Sequence, residues 1–227
     1  MARIARVVVP CIPHHITQRG NRRQEVFFCQ EDYNFYIELM KEWCRRSGVD
    51  IWAYCLMPNH VHLIAVPESE KSLAMGIGEA HRRYTKMINF RERWRGYLWQ
   101  GRFASFPMDE QYLLAAARYV ELNPVRAKMV QVPWEYKWSS AGAHVAGKDD
   151  KFVKAGALLE IVGDWKEFLV GGLKEKELEV MRCHTCTGRP LGGEEFMRQV
   201  EFAVGRVISP LKRGPKGPWK KSKGEKV

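Results

Sequence analysis

The sequence predicts an α+β fold of ferredoxin-like type, an antiparallel sheet covered by helices. Apolar residues recur at helical spacing in several segments, and short β-rich runs lie between them. The two kinds of segment follow the order strand, helix, two strands, helix, strand, helix, which is the order of a split β-α-β sheet.

"CIPHHITQ" forms the first strand, and "RGNRRQ" after it is a Gly-Asn turn loaded with arginine. "EDYNFYIELMKEWCRRSG" carries Tyr33, Tyr36, Ile37, Met40 and Cys44 on one helical face, with Arg45 and Arg46 near its end and Gly48 as a stop. "VDIWAYCLM" and "HVHLIAVP" are β-rich runs separated by Pro-Asn, a hairpin. Residues 71–90 return to helical spacing, and "GRFASFPM" is a further strand. "DEQYLLAAARYVELNP" opens on acidic residues and carries Leu113, Ala117 and Val120 on one face before Pro124 interrupts it.

Beyond about residue 150 the strand signals cease. "AGALLEIVGDWKEFLVGGLKEKELEVMRC" and "GGEEFMRQVEFAVGR" are helical, so three parts are expected: 1–150 as the main domain, 151–210 as a small helical DNA-binding or accessory module, and 211–227 as a tail. The tail holds seven Lys and Arg against one Glu, with Pro and Gly between them, a composition that predicts a disordered basic segment.

Thirty-seven Lys and Arg against 26 Asp and Glu give a formal charge of +11 over 227 residues, which favours polyanionic partners, nucleic acid first and an anionic membrane surface second. Pro10 and Pro13 break the N-terminal apolar patch well short of a signal-peptide core, and no run reaches the roughly 18 apolar residues of a membrane span. The six cysteines are mostly scattered singly, which suits reduced thiols, so a cytoplasmic location and no membrane partner are expected.

Successive strand residues alternate faces, so His60 and His62 point to one side of the sheet. Two imidazoles so placed either share one ion or line a partly wet sheet face. A histidine-triad enzyme would want a further histidine where Ile64 stands. Tyr119 and Asn123 lie four apart on a helix, hence on one face, which suits a functional pair or an amphipathic helix with a C-terminal signal. Residues 81–106 hold seven Arg and Lys, a single Glu and seven aromatics; arginines hold phosphates while aromatic faces stack on unpaired bases. From this segment, the arginine turn and the tail, the candidate DNA-binding residues are Arg19, Arg22, Arg23, Arg82, Arg83, Lys86, Arg102, Lys212 and Arg213. The lone pair Cys183 and Cys186 fits two thiols near a turn better than a zinc site.

Together, "MPNHVHLI", "RYVELNPVRA" and "LWQGRF" resemble the IS200-like single-tyrosine (HUH) transposases, especially the REP-associated tyrosine transposases, over about residues 5–145. "GRPLGGEEF" with the tail is similar to a C-terminal extension of many relatives. The resemblance implies a ferredoxin-like core, a nucleoid-associated protein, a homodimer, and a substrate of single-stranded or hairpin DNA. It places the family's metal-binding pair on His60 and His62, its polar third ligand on Asn123 and its nucleophile on Tyr119. Two neutral imidazoles and an amide oxygen would then hold Mg²⁺ or Mn²⁺. The implied activity is endonuclease and strand transfer through a 5′-phosphotyrosine, without ATP. The rival expectations are a non-catalytic, domesticated hairpin-binding protein and a metal-dependent hydrolase with no tyrosine intermediate.

Overall fold

The computed structural model describes residues 4–208. Four strands, β1 (His14–Arg19), β2 (Val49–Met57), β3 (His60–Pro67) and β4 (Ala104–Pro107), form one antiparallel sheet in the order β2-β3-β1-β4. Helix α1 (Gln30–Arg46) joins β1 to β2, and α2 (Glu79–Arg91), entered through a π-helical turn at Ala74–Gly78, joins β3 to β4. This is the expected ferredoxin-like connectivity, with the hairpin at Pro58 and Asn59 where the sequence places it.

The sheet separates two apolar layers. Ile16, Val61, Leu63 and Ala65 face α1 and α2, where Tyr36, Met40, Tyr84 and Ile88 are fully buried against them. Ile64 and Phe106 face the other way, against helix α3 (Glu110–Glu121) and its buried Leu113, Ala116, Ala117 and Val120. A bulge at Trp52 shifts the β2 register, so that Ile51 and Ala53 lie in different layers. A short helix, α4 (Asn123–Arg126), follows α3 with one residue between them; Pro124, which lacks an N–H, stands in its first turn, where none is needed.

Of the two expected C-terminal helical runs, the first is interrupted and the second is continuous. A short helix α5 (Ala141–Val145) precedes them; the first expected run, 155–183, is divided into α6 (Gly156–Leu159), α7 (Trp165–Val170) and α8 (Glu175–Thr187), because Gly171 and Gly172 turn the chain between α7 and α8, Gly172 at φ +65°, while the second, 192–206, forms the single helix α9 (Glu194–Val204). The expected strand 101–108 is shortened to β4, since Gly101 takes φ +132°, a conformation closed to L side chains without strain. α9 packs on the N-terminal segment through Val200, Val7 and Val9. Among the described residues no helix is long and apolar enough to cross a membrane.

Two buried polar groups are satisfied within this packing. Glu121, fully buried on α3, accepts from Ser140 Oγ at 2.5 Å, His144 Nδ1 at 2.6 Å and Trp165 Nε1 at 2.7 Å. His14 bonds the Ile12 carbonyl through Nδ1 at 2.7 Å and accepts the Val9 N–H on Nε2 at 3.2 Å, so both ring nitrogens of the neutral form are satisfied.

Glu121→Ala leaves the buried His144 Nδ1 and Trp165 Nε1 donors unpaired, Ser140 Oγ keeping the Tyr54 carbonyl, and is expected to cost about 3–5 kcal/mol, read as a lower urea midpoint at unchanged slope. Burial pushes the His14 imidazole down to about 4, and those of His15 and His81 to about 3. The unfolded chain therefore binds protons that the folded chain excludes. Stability is full above pH ~6.5 and is lost as pH falls toward about 4, and thermal melts across that window will show it.

Candidate active site

β1 and β3 carry the centre of the site. Their register sets Thr17 opposite His62 and Arg19 opposite His60, and the period of two aims His60 and His62 at the α3 side of the sheet. The two imidazoles lie 5.0 Å apart between ring centroids, edge to face. The Tyr119 ring stands edge-on to His62 at 5.4 Å and to His15 at 5.9 Å. Tyr119 is 8% exposed, at the end of α3 that reaches the two histidines.

The hydrogen bonds around the pair decide which nitrogens remain. Asn59 donates through Nδ2 to the Arg23 carbonyl, which turns its Oδ1 to His60 Nδ1 at 2.6 Å. An amide oxygen only accepts, so His60 carries its proton on Nδ1 and its lone pair on Nε2. His62 Nδ1 is shared by His15 Nε2 at 3.0 Å and Thr17 Oγ1 at 3.3 Å, leaving Nε2. Burial, helped by the positive charges of Arg19 and Arg126, pushes His60 down to about 4 and His62 well below its ordinary value. Both rings are therefore neutral at physiological pH. Asn123 donates its Nδ2 to the Tyr119 and Val120 carbonyls, so its oxygen is the atom left for a ligand. Two imidazole nitrogens and an amide oxygen suit a hard or borderline divalent cation, each held by a partner behind it.

A cleft of about 370 Å³ has His62, Tyr119, Arg19 and Arg102 in its walls. Arg182, Thr185 and Cys186 of α8 complete its lining. The structure thus brings together His60, His62, Tyr119, Arg19 and Arg102, and Asn123 follows Tyr119 by one helical turn. Arg22 and Arg23 project from the exposed turn after β1, both in the left-handed region at φ 53° and 63°. On α2, Arg82 and Arg83 both bond Glu79, Arg83 also stacks on Trp43, and Lys86 is exposed. Lys212 and Arg213 lie outside the described residues.

Three contributors escape the sequence patterns. His15 lies in "PHHITQ", but its bond to His62 needs the β1–β3 register. Arg126, in "NPVR", stands 4.7 Å over the Tyr119 ring once α4 turns it back, where it can meet a phosphate. α8 reaches the cleft from sixty residues beyond Tyr119. Role enough is visible for "LWQGRF" as well: Leu98 accepts from Asn21, Gln100 donates to Arg19, and Gly101 accepts from Gln18, which locks this loop to the end of β1.

A family model described as IS200-like transposase matches residues 8–123. The chain belongs to the IS200-like transposase family. No curated protein matches it. A solved REP-associated tyrosine transposase bound to a REP hairpin is similar at 20% identity, covering 66% of this chain and 89% of that one, with a TM-score of 0.53, a likeness of fold. A candidate transposase from Deinococcus radiodurans R1 aligns at 18% identity over 57% of this chain and 94% of its own, with a TM-score of 0.37.

Arg126→Gln removes one of the charges acting on His60. Its pKa is expected to rise from about 4 while staying below ~6.5, because burial is the larger cause, and the ring-proton NMR titration of this IS200-like transposase will report the direction.

Proposed function

We propose that this transposase nicks and rejoins single-stranded DNA beside hairpins, with Tyr119 as the nucleophile. The observation that carries the reading is the Tyr119 ring held against His62 at the mouth of an arginine-lined cleft. The similar REP-associated tyrosine transposase is described with a REP hairpin, which supports hairpin DNA as the partner class.

His60 and His62 through Nε2, and Asn123 through its amide oxygen, would hold Mg²⁺ or Mn²⁺. Such an ion supplies charge neutralisation at the scissile phosphate. Arg19, Arg102 and Arg126 hold the phosphate and flanking backbone in the cleft. Tyr119 Oη bonds to phosphorus as the bond from phosphorus to the 3′ oxygen breaks; the phenolic proton leaves and the 3′ oxygen gains one. A 5′-phosphotyrosine and a free 3′-OH result, and attack by a 3′-OH on that ester rejoins the strand. The bond count is unchanged at each step, so no nucleotide cofactor enters. The main domain to residue 150 performs this chemistry, α8 of the following helical module walls the cleft, and the basic tail from 211 adds sequence-independent affinity.

Tyr119→Phe removes one oxygen and is expected to abolish nicking of hairpin DNA from beside the gene while binding it within about two-fold of the parent. Tyr112→Phe, two turns earlier on α3 and about 10 Å along its axis, should nick normally. Nicking by Tyr119→Phe overturns the assignment, and binding without nicking by the unaltered chain in Mn²⁺ makes it a non-catalytic hairpin binder.

A further inference from the structure

The cleavage chemistry leaves His15 without a task, although its ring stands beside His62. β1 lies between β3 and β4, and the two registers set His15 opposite Ile64 on one side and Phe106 on the other. Thr17 is opposite His62, so His15 and His62 are diagonal neighbours on the face that Ile64 and Phe106 turn toward α3. Across that diagonal His15 Nε2 is 3.0 Å from His62 Nδ1, and the two ring planes differ by 15°. Nearly coplanar rings at that separation put a lone pair and an N–H on one line, which is a hydrogen bond between imidazoles and not a face-to-face stack. Thr17 Oγ1 is the longer partner of the same nitrogen, at 3.3 Å. The Tyr119 ring stands at 82° to His62 and 87° to His15, so the pair forms one flat wall behind it.

The far side of His15 argues against a packing role. The ring is fully buried, and its Nδ1 has no hydrogen-bond partner among the described residues. An ion on the Nε2 lone pair of His62 requires the proton of that ring on Nδ1, donated to His15 Nε2. The proton of His15 then sits on its unpartnered Nδ1. A buried donor left unpaired costs free energy that a phenyl ring of similar shape does not. Phe106, edge-on to His15 at 5.2 Å and itself buried, shows that such a ring fits this layer. The imidazole at position 15 therefore loses stability on one side, and what it supplies is the acceptor on the other.

We propose that His15 is a positioning residue for the cleavage reaction: its Nε2 accepts the Nδ1 proton of His62, fixes the plane of that ring and aims His62 Nε2 at the ion site beside Tyr119. The role rests on the reading of His60 and His62 as ligands of a divalent ion. A ring free to turn about its Cβ–Cγ bond presents either nitrogen, or neither, to a cation. Held in plane by a partner on Nδ1, it presents Nε2 alone, and the entropy of orienting it is lost before the ion arrives. His15 is not among the residues that line the cleft, so it acts through His62 and not on DNA.

Mn²⁺ binding to the full chain without DNA is followed by the free-ion electron paramagnetic resonance signal, for the parent, His62→Ala, His15→Phe and His15→Gln. His15→Phe is expected to bind Mn²⁺ on the order of 10- to 100-fold more weakly, with a thermal midpoint within about 3 °C of the parent's. In His15→Gln the amide oxygen can replace the acceptor nitrogen, and affinity should return to within about three-fold. Nicking by His15→Phe should be slow at low Mn²⁺ and recover as the ion is raised, a pattern that lost folding does not give. Parent-like Mn²⁺ affinity in His15→Phe, or a loss that His15→Gln does not repair, overturns the proposal. Should His15→Phe not fold, the parent decides. With isotope-labelled histidine nitrogens and Mg²⁺ bound, an NMR coupling across the hydrogen bond is expected between His62 Nδ1 and His15 Nε2, and its absence, or a proton on His62 Nε2, overturns the role. If the parent binds Mn²⁺ no more tightly than His62→Ala, the ligand reading fails and the positioning role falls with it. If the parent binds through His62 while both His15 variants bind equally well, the positioning role alone falls.

Discussion

The buried carboxyl of Glu121 is the interaction on which the placement of the site depends. It sits on α3 between Tyr119 and Asn123, and at 100° per residue it points away from the face those two share. Ser140, His144 and Trp165 reach it from three separate segments of the chain. Apolar packing of Leu113, Ala117 and Val120 on the sheet holds α3 in its layer but leaves it room to slide or rotate. Three short hydrogen bonds to one buried group have a single satisfactory geometry, so they fix the rotation of the helix, and with it the aim of the Tyr119 ring.

The sheet supplies the complementary constraint. With Thr17 opposite His62 and Arg19 opposite His60, a slip of one residue in β3 would turn both histidines into the layer of Tyr36 and Tyr84. The register is pinned at the hairpin, where Gly20 donates to the Asn59 carbonyl and Val26 to that of Pro58. Gly20 approaches Gln24 and Val26 so closely that a Cβ would lie 2.2 Å from the Gln24 carbonyl oxygen. The arginine-rich turn therefore does two things: it presents Arg22 and Arg23 to solvent, and its backbone closes around Asn59, the residue that orients His60.

Much of this was legible because it is periodic or local. The alternation of β3 places His60 and His62 on one face, and the four-residue spacing puts Asn123 a turn from Tyr119. Features that depend on strand order or on packing between distant segments were not. His15 meets His62 only because β1 lies beside β3 in space. Arg126, seven residues after Tyr119, comes over its ring across the break between α3 and α4 at Leu122, which the sequence marks only by Pro124. The cleft's far wall comes from α8, which runs on to Thr187 through Cys183 and Cys186, where the sequence suggests a helix end and two thiols near a turn, and nothing local aims these residues at the sheet. Glu121 itself reads as a surface acid near a helix end, and only the packing of the segments after it shows that it is buried.

The bonds that Asn59 makes to His60 Nδ1, and that His15 and Thr17 make to His62 Nδ1, leave the two Nε2 atoms free, and we propose that these share one ion beside Tyr119. Crystals of the protein soaked in Mn²⁺ and measured at the manganese absorption edge test it directly. One anomalous peak bonded to His60 Nε2 and His62 Nε2 with Tyr119 adjacent is expected; a peak held through Nδ1 of either ring, or manganese bound only elsewhere on the chain, rules out this placement of the ion.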